Sequence, residues 1–361
     1  HDVRVLIMDE PTSALSQAEV EGLFRIIADL KSRGVAIVYI SHKLEELLQV
    51  GDRITVLRDG RIVAHAEAAD VDVAWIIEQM VGRSPASLFS RTQHDVGEVL
   101  LEVKDVTLPR LGGGYLVDHV SLKVHAGEIL GLYGLMGAGR TELMEVLAGV
   151  RPEARGEVLL EGRDIADATV ADRIDAGVVL VPEDRKTVGL VPTLSVAHNM
   201  VLASLRRYIN RFYLSTGKEK EAVAGMVDDL SVRVADANNN IDSLSGGNQQ
   251  KVVVAKGLLT EPRVLLLDEP TRGIDVGAKS EIFQIMSRLA GEGFGIIFVS
   301  SELKEVMAMS DRILVLSKGQ VVAEFEGDRA TEKELVDASA VGHGPAGNGK
   351  GSESGTVEMI Q

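Results

Sequence analysis

The run Ile129-Leu130-Gly131-Leu132-Tyr133 leads directly into Gly134-Leu135-Met136-Gly137-Ala138-Gly139-Arg140-Thr141, and Leu143, Met144 and Leu147 follow at helical spacing. The first stretch is apolar and continuous, as expected of a strand buried in a parallel sheet. The second fits G-x-x-x-x-G-basic-[Ser/Thr] in the strand-to-helix setting that this pattern requires. Its glycines let backbone N–H groups converge on phosphate oxygens, and the helix N-terminus adds a favourable dipole. Gly134, Gly137, Ala138, Gly139, Arg140 and Thr141, with Glu142 beside them, are therefore candidate phosphate-binding residues. Thr141 offers a hydroxyl to Mg²⁺. The competing reading is a plain glycine turn between strand and helix. One position departs from the pattern: Arg140 stands where lysine is usual. A planar fork keeps the charge but not the compact point donor, which suits phosphate binding better than hydrolysis.

Two later segments favour the phosphate reading. Leu244-Ser245-Gly246-Gly247-Asn248-Gln249-Gln250-Lys251 precedes the helical run Val252 to Leu259. Ser245 reads as an ordinary N-cap, or, with Gly246 and Gly247, as a second surface of exposed N–H groups for phosphate. Val264 to Leu267 is an apolar strand ending in Asp268-Glu269. Asp268 is placed to hold Mg²⁺ and Glu269 to polarise an attacking water. Paired acids at a strand end can merely start a loop, but seldom after the other two motifs in this order.

The acidic strand occurs twice. Val5-Leu6-Ile7-Met8-Asp9-Glu10-Pro11-Thr12 recurs as Val264-Leu265-Leu266-Leu267-Asp268-Glu269-Pro270-Thr271 at an offset of 259 residues. The same offset carries Gly34 to Gly293, Ser41 to Ser300, Asp52-Arg53-Ile54 to Asp311-Arg312-Ile313 and Gly60 to Gly319. A register held over about sixty positions is a tandem duplication. No phosphate loop precedes the first copy. The expectation is one complete nucleotide-binding domain preceded by the C-terminal part of another, N-terminally truncated. Residues 1–66 are expected as that part, 67–98 as a helix and polar linker, 99–340 as the complete domain and 341–361 as a disordered glycine-bearing tail. Val3 to Met8 and Val35 to Ile40 read as strands covered on both faces. Ile54 to Leu57 and Arg61 to Val63 read as a hairpin.

The chain has 361 residues, 45% apolar and 25% charged, an ordinary globular composition with room for two domains. No apolar run approaches the ~18–20 residues of a membrane-spanning helix. No charged-then-apolar leader follows His1, so no secretory signal is expected. The absence of cysteine excludes disulfides and thiolate metal sites. A net charge of −16 and only a small basic cluster, Arg206-Arg207 with Arg211, argue against nucleic acid as partner.

These motifs resemble the ATPase subunits of ABC transporters, most closely the fused double-domain ATPases of monosaccharide importers (ribose, xylose, galactose or arabinose). Four segments carry the resemblance: Gly134 to Leu143, Val181-Pro182-Glu183-Asp184-Arg185-Lys186, Leu244 to Lys251, and Asp268-Glu269-Pro270-Thr271-Arg272-Gly273-Ile274-Asp275. It covers the chain to about residue 338. It implies an α/β P-loop NTPase fold of the ABC type, with a mixed sheet core and a helical subdomain over Pro192 to Asp229. It further implies ATP and Mg²⁺ as cofactors, with each ATP held between the P-loop of one domain and the signature of another. The family's coupling glutamine falls at Glu183, an unfavourable charge near a γ-phosphate unless a base or metal screens it. The switch histidine falls at His42 in the first copy and at Ser301 in the second. The stronger site is thus expected to use Asp9, Glu10 and His42 with Ser245, Gly246 and Gly247. The second P-loop site, with Arg140, Glu183 and Ser301, is expected to bind nucleotide and hydrolyse it weakly. Catalytic roles fall on Glu10, His42 and Glu269, and metal contacts on Thr141, Asp268 and Asp9. Tyr115 is a candidate to stack on adenine, or else packs the sheet.

The leading functional reading is an ATP-hydrolysing subunit that energises monosaccharide import through membrane permease subunits served by a sugar-binding protein. It would sit peripherally on the cytoplasmic face of the plasma (inner) membrane, its domains pairing within the full-length chain or as a homodimer. Two alternatives remain open: a soluble tandem ABC ATPase acting on ribosome or nucleic acid, and a binding-only fragment without significant turnover.

Overall fold

The computed structural model describes residues 3–12, 15–41, 43–58, 60–82, 95–210 and 213–341. The chain divides into two compact units, His1–Leu88 with Asp275–Gly277, and Phe89–Ile274 with Ala278–Gln361.

In the first unit β1 (Val5–Asp9), α1 (Gln17–Ser32), β2 (Ala36–Ile40), α2 (Leu44–Val50), β3 (Arg53–Arg58), β4 (Arg61–Glu67) and α3 (Val73–Val81) follow in order. β1 and β2 pair in parallel, Val5 opposite Ala36 and Asp9 opposite Ile40. β3 and β4 form the expected antiparallel hairpin. Leu44, Ile54, Val56 and Ile76 make a small core. One expectation fails here. β1 and β2 are not covered on both faces: Val5 is 59% and Ile7 67% exposed, and Val38 and Ile40 are exposed as well. The apolar composition is that of an interior strand, but among the described residues of this unit no layer lies over that face.

The second unit shows what such a layer looks like. Its first elements are β5 (Val99–Pro109), β6 (Tyr115–His125), β7 (Ile129–Tyr133), α4 (Arg140–Leu147), β8 (Arg155–Leu160), β9 (Arg163–Asp164), α5 (Val170–Ala176) and β10 (Val178–Val181). A helical part follows, with α6 (Val196–Val201), a short hairpin β11 (Ile209–Asn210) and β12 (Tyr213–Leu214), and α7 (Thr216–Asp229). The chain then returns through α8 (Gly246–Leu258), β13 (Val264–Asp268), α9 (Val276–Gly291), β14 (Gly295–Val299), α10 (Leu303–Met309), β15 (Arg312–Ser317), β16 (Gln320–Glu326) and α11 (Glu332–Ser339). The hairpin β11–β12 has no forerunner in the sequence reading.

The main sheet has the order β10-β13-β14-β7-β15-β16, parallel except for β16. A second, antiparallel sheet runs β6-β5-β8-β9. Every residue of β7, β13 and β14 is buried, which is why these strands are apolar without alternation. One face, with Leu130, Leu132, Val264, Leu266, Ile297 and Val299, packs under the antiparallel sheet and α4. The other, with Ile129, Leu265, Leu267, Ile296 and Phe298, packs on α8, α9 and α10. The helix after the phosphate loop is closed at its far end by a buried cation. Arg173 Nη1 donates to the carbonyls of Val146 and Leu147 at 2.8 and 2.7 Å, where a positive charge complements the helix dipole.

The approach of β7 to α10 leaves no space. A Cβ added at Gly131 would lie 2.2 Å from Ser310 Oγ and 2.8 Å from Val306 Cγ1. Gly131→Ala is expected to destabilise the second unit by about 1–3 kcal/mol through overpacking. Urea unfolding should show the midpoint falling with an unchanged slope.

Candidate functional site

Strand order assembles the site. β10, β13, β14 and β7 are consecutive neighbours and run parallel. The loops at their carboxyl ends therefore open on one edge, where ligands bind in open α/β sheets. Those loops carry Glu183, Asp268 with Glu269, Ser300 with Ser301, and Gly134 to Thr141.

The phosphate loop is built by close contacts. Gly134 approaches the Leu316 carbonyl so nearly that a Cβ would lie 2.5 Å from it. Gly137 and Gly139 have φ of +78° and +96°, a region that costs an L-residue about 1–2 kcal/mol. Ala138 is buried. Gly139 is the N-cap of α4, so Arg140, Thr141 and Glu142 form its first turn. Arg140 turns back across the sheet edge: Nη1 donates to the Ser300 carbonyl at 3.1 Å and lies 3.6 Å from Glu269 Oε1.

Asp268 is 2% exposed at the end of β13. Burial pushes its carboxyl up to about 6; a hydrogen bond with Thr141 opposes the rise, and the charge of Glu269 adds to it. Oδ1 is buried without a hydrogen-bond partner. A buried carboxylate oxygen left open beside a threonine hydroxyl is a donor set that fits a divalent cation.

Glu269 follows with φ +48°, and Glu10 in the first unit has φ +46°. Both backbone N–H groups donate across the sheet, Glu269 to Val299 at 3.0 Å and Glu10 to Ile40 at 2.9 Å. The same strained turn is thus built twice. Sequence reasoning found the acids but not this conformation. Ser301 Oγ donates to Glu269 Oε2 at 3.1 Å, so the serine in register with His42 engages the carboxylate directly.

The remaining candidates are spread more widely. Glu183 forms an ion pair with Arg272. Ser245 is the N-cap of α8 but makes no side-chain cap bond; its Oγ instead accepts from Asn248 Nδ2 at 3.0 Å. Gly246 and Gly247 lead the first turn of α8. Tyr115 is 43% exposed at the start of β6 and meets His119 edge-on, with ring centroids 5.7 Å apart; it does not pack in the core. The next carbonyl, that of Leu116, faces Gly139. Asp9 is exposed at the end of β1. His42 lies outside the described residues.

The structure adds a pair that the sequence reading missed. Thr12 Oγ1 donates to Glu46 at 2.7 Å, and Thr271 Oγ1 to Glu305 at 2.6 Å. Both pairs hold the loop after the acids to the helix after the next strand. The signal was present, since both residues keep the 259-residue register.

Comparison with known proteins agrees with this geometry. A family described as ABC transporter matches residues 117–272. A ribose import ATP-binding protein RbsA 2 of Rubrobacter xylanophilus is 46% identical over 345 residues, covering 96% of this chain and 66% of the relative. A xylose import ATP-binding protein XylG of Pseudomonas syringae pv. syringae is 48% identical over 349 residues, covering 95% of this chain and 67% of the relative. The chain thus spans about two thirds of the length of these relatives. Among solved structures, the dimeric post-hydrolysis state of the ATP-binding cassette MJ0796 bound to ADP and Pi is alike in fold. The TM-score is 0.57 at 24% identity, over 64% of this chain and 100% of that one.

The Asp268 carboxyl has a measurable consequence. Its ordinary value is 3.8 and its folded value about 6. The folded state therefore holds the extra proton between those values, and stability falls as pH rises through that window. Above it the full penalty is present. Asp268→Asn, without metal or nucleotide, is expected to gain about 1–3 kcal/mol at pH 8. Urea unfolding at a series of pH values should show that gain vanish below pH ~4.

Proposed function

Because the chain belongs to the ABC transporter family, in the branch of ribose and xylose import ATP-binding proteins, we propose that it binds and hydrolyses ATP to energise import of a monosaccharide. The observation that carries this reading is the meeting, at one sheet edge, of the phosphate loop, the buried open oxygen of Asp268 and the strained Glu269. In this proposal Gly134, Gly137, Ala138, Gly139, Arg140, Thr141 and Glu142 receive the ATP phosphates. Thr141 and the Asp268 carboxylate hold Mg²⁺, which when bound neutralises phosphate charge. Glu269 orients water, Tyr115 lies alongside adenine, and Ser245, Gly246 and Gly247 present backbone N–H groups to phosphate. Asp9, Glu10 and His42 take the corresponding metal and catalytic roles by register.

A more restricted reading of the second unit has its own support. Glu269 is engaged by both Ser301 and Arg140, and a base so held is poorly placed to accept a proton. We therefore assign this P-loop site chiefly to nucleotide binding, with slow hydrolysis.

Residues 1–66 are proposed as the C-terminal part of one ATPase domain, 67–98 as a connection and 99–340 as a complete second domain. Membrane permease subunits are the proposed partners, fed by a sugar-binding protein, at the cytoplasmic face of the inner membrane. No described helix is long and apolar enough to cross a membrane. Nucleic acid is disfavoured by the net charge of −16 and the small size of the one basic cluster.

Mg-ATP at a hundredfold excess over Kd should stabilise the chain by about 2.7 kcal/mol, read as a rise in thermal midpoint. Gly137→Asp, at a position where a Cβ would meet nothing within 4 Å, places a carboxylate at the phosphate loop and should abolish the rise while circular dichroism still reports a folded chain. A variant that responds to Mg-ATP like its parent would falsify the assignment of this loop.

A further inference from the structure

Arg185 sits where three motifs of the second unit meet. Its Nη1 donates to the carbonyl of Arg272 at 2.9 Å, and its Nη2 to the carbonyl of Gly273 at 3.0 Å. On another side is the cap of α8: a Cβ added at Gly246 would lie 2.9 Å from Nη2. The segment carrying Arg185 is itself braced. Glu183 pairs with Arg272, and the Asp184 side chain accepts from the N–H groups of Lys186 and Thr187 at 2.9 and 3.1 Å. Arg185 Nε is buried and has no hydrogen-bond partner. A cation gives up solvation here to hold two consecutive backbone carbonyls of one loop, and such fork geometry fixes that loop against the segment carrying Arg185.

We propose that Arg185 is a positioning residue: by clamping the carbonyls of Arg272 and Gly273 and seating against Gly246, it sets the place of the Ser245-Gly246-Gly247 cap relative to the loop that follows Glu269. The Glu183–Arg272 pair keeps that clamp closed. The contacts stand on geometry alone; their purpose rests on the nucleotide-site reading. The Arg272 side chain that braces Glu183 is not repeated in the first copy, where the residue in register is Ser13. A Cβ at 246 would displace the guanidinium, so a side chain there should loosen the clamp.

The chain has no cysteine, so two introduced cysteines can carry spin labels, at exposed Asp242, three residues before the cap, and exposed Arg163 in β9. Without nucleotide, the parent should give one narrow distance distribution. Arg185→Met should broaden it on the order of twofold, and Arg185→Lys, which can reach one carbonyl but not both, should fall between. Gly246→Ala should broaden the distribution in the parent and add nothing in the Arg185→Met background, the non-additivity expected of touching groups. It also serves alone if Arg185→Met does not fold. An Arg185→Met distribution as narrow as the parent's, or additive effects of the two substitutions, would overturn the proposal. Mg-ATP should still stabilise Arg185→Met, because Arg185 donates to no phosphate-loop residue. Failure of the parent itself to respond to Mg-ATP defeats the nucleotide reading and leaves the distance measurement decisive for the clamp.

Discussion

A parallel strand buried on both faces has no room for polar chemistry along its length, and its carboxyl end is where polar groups emerge. β7, β13 and β14 are such strands, and they are neighbours. Everything else at the site follows from that constraint. The backbone N–H groups of the phosphate loop emerge from β7, the two carboxylates from β13 and the serine pair from β14. Burial also sets the electrostatics, because Asp268 ends its strand in a place from which water is excluded. A carboxylate held there is costly, and its open oxygen is what a cation would repay.

Charge balance around this edge is local and specific. Glu269 has Arg140 and Ser301 about it, and Glu183 has Arg272. Two substitutions that look like losses when read singly, glutamate for glutamine and serine for histidine, are thereby accommodated by neighbours. The outcome is an edge at which Glu183 and Glu269 are engaged by the protein itself while one Asp268 oxygen is left open.

The sequence was legible where a single segment carries its own explanation. The strand–loop–helix at 129–147, the apolar strand ending in Asp268-Glu269 and the hairpin around Gly60 all appear as read, because period, glycine placement and chain order are local properties. It was less legible where the explanation lies in a distant partner. The Glu10–Ile40 and Glu269–Val299 backbone bonds, the Thr271–Glu305 bond and the Arg185 clamp join residues far apart in sequence. β1 and β2 were misread for a related reason: apolar content reports the environment a strand is suited to, and burial depends on what is packed against it.

The sequence by itself determined the duplication, the family resemblance, and which residues are candidates to meet phosphate and metal, since these depend on residue type and spacing. Only the tertiary structure decided how those groups are spent. It bound Arg140 and Ser301 to Glu269, screened Glu183 with Arg272, and left one Asp268 oxygen open. Such choices are made by Coulomb and hydrogen-bond contacts over a few ångströms between segments that strand order, not chain order, brings together.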